Sequence, residues 1–196
     1  MTAAQASIES QVNYARKKSR LYVGVDNGVS GSLGLIYADG SCPRLIPMPT
    51  FSELGYQKSK SKHVTRIDWR RLRQLLKKAS EATPCKNLLT MKVVIERPMV
   101  NPGRFAATCS AVRALEALLI VLESLGKGDD AVGREYTDSR AWQKMLLPAG
   151  IKGAADLKAA SRDIGLRMWP ELGDAIKKVK DCDGLLIAEW ARRQQL

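Results

Sequence analysis

Two short apolar segments of this sequence each end in an acidic residue, and this repeated pattern limits the folds open to the chain. The first covers residues 20–26, RLYVGVD, and ends at Asp26; the second covers residues 92–96, KVVIE, and ends at Glu96. Runs of this length and composition are typical of buried β-strands. We therefore expect two neighbouring strands of one sheet that share an acidic rim.

The order of the other segments favours a mixed sheet covered by helices. The dipeptides Asn27-Gly28 and Asp39-Gly40 are tight-turn signals, so the first three strands should form an antiparallel meander. Downstream, strands alternate with helices, which is typical of parallel additions to a sheet. The predicted class is α/β, with a mixed five-stranded sheet of three antiparallel strands followed by parallel additions, flanked by helices. The further strands are expected at 32–38, 43–48 and 131–136, and the helices at 68–79, 101–125, 138–147, 157–168 and from 181–183 to 193.

Apolar spacing predicts which faces of the two longest early helices point inward. The first helix should begin after an N-cap at Asp68 and turn Trp69, Leu72 and Ala79 toward the core. The long helix at 101–125 is apolar beyond one narrow stripe, which makes it a candidate dimer element. Its expected inward stripe is Phe105, Cys109, Val112, Leu115, Leu119 and Leu122.

A third acidic segment, DCDGLLIAEW, runs from Asp181 to Trp190. On a helix, Asp183 shares a face with Leu186, Ile187 and Trp190. A carboxylate on such an apolar face is costly unless it is paired or bound to a metal. Asp181 is two residues earlier, a rotation of about 200° on a regular helix. It reaches the same place only if it precedes the helix or if the turn is distorted.

Each acidic position also has a purely structural interpretation. Asp26 before Asn-Gly fits a turn, Glu96 fits an ion pair with Arg97, and Asp181 or Asp183 fits a helix N-cap. One geometry accounts for all of them, because carboxylates packed together persist when they hold hard cations. Two Mg²⁺ or Mn²⁺ ions about 4 Å apart promote phosphodiester hydrolysis without any histidine. The sequence therefore favours metal-dependent hydrolysis of a phosphodiester.

The net charge indicates a polyanionic partner. The chain has 32 Lys+Arg against 20 Asp+Glu, a formal net charge of +12, which favours nucleic acid over an anionic membrane. A single histidine, His63, and four cysteines without a CxxC pair argue against a histidine-based mechanism and a zinc site. We see no uninterrupted apolar run of about 18 residues and no signal-peptide pattern, so we expect a cytoplasmic protein without a membrane partner, with organellar targeting left open.

Basic residues near these acids are candidate DNA contacts. Residues 56–66 are expected to form a loop that is either a phosphate-binding element or a solvated charge run. Arg104 lies near the start of the long helix, and a helix N-terminus is a favourable phosphate site. Lys144, Lys152 or Lys158 would add a positive charge near the scissile phosphate. The predicted DNA contacts are Lys58, Lys60, Lys62, Arg66, Arg97, Arg104, Lys144 and Lys152.

Three segments in this order and spacing, GVDNGVSGSLGLI, VVIERP and KDCDGLLIAEWARR, resemble the RuvC-type Holliday-junction resolvases, and above all the RuvC-like resolvases of bacteriophages. The resemblance covers roughly residues 20–193. It implies an RNase H-like nuclease domain at 20–196. It also implies a homodimer that uses Mg²⁺, with Mn²⁺ as a substitute, to cut symmetric strands of four-way DNA junctions. Residues 1–19 are polar, and from that composition we expect a flexible N-terminal arm.

The resemblance also implies a role for each acid, with two metal ions expected per site. Asp26 is the metal ligand after the first strand, Glu96 is the ligand at the later strand, Asp183 is the ligand on the final helix, and Asp181 is its partner. In bacterial members the last two aspartates are three residues apart, whereas Asp181 and Asp183 are two apart. The role of Asp181 therefore depends on where the final helix begins.

Three alternatives remain open from the sequence. The chain is also compatible with a nuclease that debranches a wider range of DNA structures, with a ribonuclease H, and with a non-catalytic DNA-binding module. The final Asp-Gly-Leu-Leu-Ile-Ala segment favours a resolvase over a ribonuclease. Intact acids at all three places argue against a non-catalytic module.

Overall fold

The computed structural model describes residues 20–55, 63–81, 91–126 and 132–196. The predicted arm at 1–19 lies outside these ranges, and so do Lys58, Lys60 and Lys62. The strands in the described ranges are β1 (Leu21–Val25), β2 (Ser32–Tyr37), β3 (Arg44–Pro47), β4 (Thr50–Leu54), β5 (His63–Ile67), β6 (Met91–Glu96) and β7 (Val132–Thr137). The α-helices are α1 (Trp69–Glu81), α2 (Phe105–Leu125), α3 (Ser139–Leu146), α4 (Ala154–Met168), α5 (Gly173–Val179) and α6 (Asp183–Arg193).

A five-stranded sheet in the order β3-β2-β1-β6-β7 forms the centre of the fold. The first three strands pair antiparallel, β1 with β2 and β2 with β3. The two later strands are parallel additions, β6 beside β1 and β7 beside β6. The predicted mixed sheet is therefore confirmed, including its change from antiparallel to parallel pairing.

Helices cover both faces of this sheet, because successive side chains of a strand point to opposite faces. On β1, Leu21, Val23 and Val25 pack into one core with residues of α1 and α2. Tyr22 points the other way, into a second core formed with residues of α3 to α6. The site described below lies at the end of the sheet where β1 and β6 both finish.

A separate two-stranded hairpin, β4–β5, precedes α1, and the sequence analysis did not predict it. The expected loop at 56–66 was wrong for its last residues, since His63 and Arg66 lie in strand β5. The charged and polar residues of this strand obscured its β-branched positions. Arg66 forms a cross-strand ion pair with Glu53 of β4, and this pair helps to hold the hairpin.

Helix α2 buries a different face from the one predicted. Its buried residues are Ala114, Leu118, Val121 and Leu122, whereas Phe105 is 76% exposed and Val112 is also exposed. The expected stripe was therefore wrong at Phe105 and Val112, whereas Leu122 is buried and Leu115 and Leu119 are partly buried against the core. Apolar residues lie almost all round this helix, so periodicity alone did not identify the buried side.

By length and composition, the helical segment Pro102–Leu125 is apolar enough to cross a membrane. The sequence analysis, which looked for an uninterrupted apolar run, did not expect such a segment. A mostly buried core helix of a globular domain passes the same test. Here 22% of the apolar window is buried, and α2 packs its buried residues against the central sheet and α1. We therefore interpret α2 as a core helix with an apolar outer face.

Candidate active site

Parallel pairing of β1 with β6 places two of the predicted acids at the same edge of the sheet. Val25 is in register with Ile95, so Asp26, directly after β1, lies next to Glu96, the last residue of β6. The apolar strands fix this position because they are buried along their length. The prediction that the two acidic strand ends are neighbours is confirmed.

Helix α6 brings the third acidic segment to this edge by lying directly on β1 and β2. Gly24 and Gly34 face its backbone, and a Cβ atom at either position would overlap main-chain atoms of α6. At the start of the helix, the Gly184 N–H donates a hydrogen bond to Ser32 Oγ (3.2 Å). Glycine at these strand positions is therefore what allows the N-terminus of α6 to approach the end of β1.

Asp181 precedes α6, and Asp183 is the first residue of the helix. The sequence analysis required this arrangement for Asp181 to reach the site. Carboxylate oxygens of Asp26, Asp181 and Asp183 all lie within 4.8 Å of one another, a spacing that can hold a metal ion. Glu96 is outside this tight group, but its charge acts on Asp26.

Burial and mutual repulsion make these acids unusually hard to ionise without a cation. Burial raises the pKa of Asp26 well above its usual value, and the charges of Asp183, Glu96 and Asp181 raise it further. Burial is also the main cause that raises the pKa of Glu96 to about 7. For Asp183, burial and the charge of Asp181 raise the pKa to about 6. A positive charge at this place would relieve both effects.

Lys158 of α4 supplies one such positive charge. Its Nζ atom donates a hydrogen bond to Asp181 Oδ2 at 2.6 Å, and Asp181 is only 1% exposed. Burial lowers the pKa of Lys158, but the bond to Asp181 and the charges of Asp181, Asp26 and Asp183 raise it overall. Of the three lysines considered for this role, Lys158 is the one in contact with the acids. Lys144 and Lys152 are exposed, and no contact among the described residues joins either to this group.

Two residues that the sequence analysis did not assign to the site also contact the acids. The Trp142 indole N–H donates to Glu96 Oε2 (3.1 Å), which lowers the pKa of Glu96 and partly opposes the effect of burial. A hydrogen bond from the buried Ser161 lowers the pKa of Asp183, and Ser161 Oγ also accepts from the Cys182 N–H (3.1 Å). Lys158 and Ser161 are three residues apart on α4, so they share a helix face. In the sequence, this spacing of three residues was the pattern that could have indicated that Ser161 lies on the same side of the helix as Lys158.

Asn27 adds an oxygen beside the acidic group. Its Nδ2 atom donates to the carbonyl oxygen of Ala111 on α2 (3.1 Å). Its Oδ1 atom is buried and has no hydrogen-bond partner among the described residues. A buried, unpaired amide oxygen is costly unless a cation or water binds it. Asn27 lines the same cavity as Asp26 and Glu96, and an oxygen of this kind suits a hard divalent cation.

A cavity of about 310 Å³ opens beside these acids, lined by Asp26, Asn27, Glu96, Arg97 and Arg104 among others. Two of the predicted DNA contacts, Arg97 and Arg104, therefore line the cavity that contains the acids. Arg97 also lies 3.7 Å from Asp138 in an exposed ion pair. Of the four acids, Asp26 and Glu96 line this cavity, together with the two guanidinium groups.

Comparison with known proteins gives structural matches for this fold. No family model matches the chain, and no curated protein matches it. Among solved structures, the chain is similar to T. thermophilus RuvC in complex with Holliday junction substrate, with a TM-score of 0.50 and 15% sequence identity. The match covers 89% of this chain and 96% of that chain. The RNase H-like fold predicted from the sequence is therefore confirmed, whereas the bacteriophage branch stays a prediction.

Proposed function

We propose that this protein is a divalent-metal-dependent endonuclease that cuts branched DNA and resolves four-way junctions. The observation that carries the proposal is the group of Asp26, Asp181 and Asp183, whose carboxylate oxygens lie within 4.8 Å of one another. They occupy the edge of an RNase H-like sheet in a chain with a net charge of +12. The RuvC structure to which the chain is similar holds Holliday junction substrate, which supports the choice of DNA.

Mg²⁺, with Mn²⁺ as a substitute, is the proposed cofactor, with two ions per site. Asp26, Asp181, Asp183 and Glu96 would hold the ions, and Asn27 offers the further oxygen. When bound, the metal would activate water and stabilise the leaving 3′ oxygen of the phosphodiester. The raised pKa values of the acids support this proposal, because a divalent cation would favour their ionised forms.

The chain's own residues would position the substrate around this centre. Arg97 and Arg104 line the cavity and would bind phosphate oxygens of the cleaved strand. Lys158 would hold Asp181 in place through its hydrogen bond. Trp142 would fix the orientation of Glu96 through its indole N–H. The acids and arginines thus have separate tasks, the first on the metal and the second on the backbone of the DNA.

A homodimer is the assembly that we propose for symmetric cutting of a junction. Helix α2 offers the surface for it, because Val112 and Ile120 are exposed apolar residues outside the groove described below. Two copies would present two acidic sites to the two symmetric strands of one junction. We place this activity in the cytoplasm of a bacterium or of a phage-infected host.

The test separates cutting from binding with variants of the acids. We expect Asp26→Asn and Glu96→Gln each to lower the Mg²⁺-dependent cleavage rate of a four-way junction by at least about 100-fold, since metal stabilisation of the transition state contributes several kcal/mol. Junction binding in a mobility-shift assay should be retained. Asp174→Asn, which changes a fully exposed carboxylate on α5, is the matched control and should cleave normally. Normal cleavage by the Asp26 variant would refute the site.

A further inference from the structure

A second groove, on the other side of α2 from the acidic cavity, is lined by aromatic side chains. It has a volume of about 610 Å³ and lies between the β4–β5 hairpin and the N-terminal half of α2. Phe51, Trp69 and Phe105 line it, and Trp69 is 44% exposed although it begins a helix whose apolar stripe was expected to bury it. Three exposed aromatic residues around one groove exceed what an ordinary surface carries, so this groove is a candidate binding site.

The charged residues of the groove are basic. Arg66 and Arg113 line it, and no acidic side chain does so among the described residues. The guanidinium carbon of Arg70 lies 4.6 Å from the centre of the Trp69 ring, a cation–π contact. Arg113 has no ion pair among the described residues. Aromatic walls with arginines at their edge are the combination that binds single-stranded nucleic acid, where bases stack and phosphates pair with guanidinium groups.

The groove and the acidic cavity share α2 as a common wall. Ala106, Ser110 and Arg113 face the groove, whereas Ala107 and Ala111 on the same turns face the cavity. The segment after β1 also reaches both, because Asn27 lines the cavity and Val29 lines the groove. A strand bound at the acids is therefore one helix width from the aromatic groove.

We propose that this groove binds an unstacked nucleobase of the DNA strand whose phosphate lies at the acidic site. This inference rests on the proposed nuclease function, and it assigns the groove the task of holding the substrate open next to the cut. Charge favours this occupant over a second copy of the chain. Arg66 is ion-paired with Glu53, but a twofold contact through the groove would still bring together two surfaces that each carry Arg113, with Arg70 beside Trp69, and no acidic lining side chain among the described residues.

The test uses single-stranded oligonucleotides in EDTA, so that binding is measured without cleavage. The probes are dT12 and a 12-unit abasic phosphodiester strand, which carry the same number of phosphates. We expect the wild type to bind dT12 more tightly than the abasic strand. Trp69→Ala should weaken dT12 binding about 5- to 150-fold, the range for loss of one stacked base, with little effect on abasic binding. Leu54→Ala, an exposed apolar change on β4 outside the groove, is the matched control.

Tryptophan fluorescence gives a second readout. Trp142 and Trp169 are buried and Trp190 is half-buried, so Trp69 is the most exposed of the four tryptophans. We expect dT12 to quench the wild-type emission and Trp69→Phe to remove that quenching while keeping the affinity, because phenylalanine still stacks. Circular dichroism checks that both variants fold.

Two results would overturn the groove proposal while leaving the nuclease proposal intact. Equal binding of dT12 and the abasic strand would mean that only phosphate charge is recognised. Dissociation of a dimer by Trp69→Ala, with dT12 affinity unchanged, would mean that a second copy covers the groove. The converse result is also informative. If the wild type binds dT12 more tightly than the abasic strand but cuts no junction, the groove binds bases and the nuclease function is refuted.

Discussion

Asp181 is the most buried acid of the site, and its side chain accepts a hydrogen bond from one lysine, Lys158. The Lys158 ammonium lies 2.6 Å from an Asp181 oxygen, while Asp26 and Asp183 crowd the same place. The charge of Lys158 lowers the pKa values of Asp26, Glu96 and Asp183 and so opposes the effect of their burial. We therefore expect Lys158 to matter most when no divalent cation is bound.

We expect Lys158→Ala to destabilise the protein most when no metal is present. The free energy of unfolding in EDTA should fall by about 1 kcal/mol, a figure that allows for the half-exposed ammonium. The loss should shrink in saturating Mg²⁺, because the cation replaces the missing positive charge. Chemical denaturation in the two buffers measures the difference, with the exposed Lys152→Ala as control. An equal loss in both buffers would show that Lys158 does not act on the metal site.

The packing of α6 on the central sheet sets the distance between the two halves of the acidic group. Asp26 follows β1, whereas Asp181 and Asp183 lie at the start of α6. Gly24 and Gly34 have no side chain to separate the helix from the strands. The metal site is therefore assembled by a backbone-to-backbone contact between two elements.

We expect Gly34→Ala to move α6 and so to weaken the metal site. The added Cβ would overlap main-chain atoms at Gly184 and Leu185, so the variant should lose about 1–3 kcal/mol of stability or more. Its half-maximal Mg²⁺ concentration for cleavage should rise relative to the wild type. Gly173→Ala, where an added Cβ meets only a side-chain atom at ordinary contact distance, should leave both quantities unchanged. Wild-type Mg²⁺ dependence of the Gly34 variant would contradict this account.

The sequence predicted the parts of the molecule in which local pattern and tertiary structure agree. Apolar strands that end at Asp26 and Glu96, and an acid on the apolar face of α6, predicted the sheet edge and most of the site. The contacts of Lys158 and Trp142 join residues 23 and 46 positions apart, and no local periodicity reports such a pairing. The buried face of α2 was mispredicted because the helix is apolar almost all round. In the same way, the polar residues of β5 prevented the β4–β5 hairpin from being predicted.

The stability of the whole protein should depend on pH in the direction set by its acidic group. The pKa values of Glu96 and Asp183, about 7 and about 6, lie above their ordinary values of 4.5 and 3.8. These carboxyl groups bind protons more tightly in the folded state, so their stabilising contribution is complete below about pH 4 and is lost as the pH rises through about 6 to 7. We expect the Tm in EDTA to fall between about pH 5 and about pH 8.

Metal should reverse this trend. Because Mg²⁺ binds the ionised carboxylates, the gain in Tm on adding it should grow over the same pH interval. Differential scanning calorimetry with and without Mg²⁺ measures both effects. A metal-free Tm that rises steadily from about pH 5 to about pH 8 would contradict the buried, mutually repelling acids described here.

A cleavage assay on four substrates asks directly whether the acidic site cuts branched DNA. The wild-type protein is incubated with Mg²⁺ and a four-way junction, a Y-fork, a linear duplex or an RNA–DNA hybrid, and the products are resolved on a denaturing gel. We expect paired nicks at symmetric positions of the four-way junction and little cutting of the linear duplex. Cutting of the Y-fork at a similar rate would indicate a broader debranching nuclease. Cutting of the hybrid while the junction stays intact would contradict the proposed function.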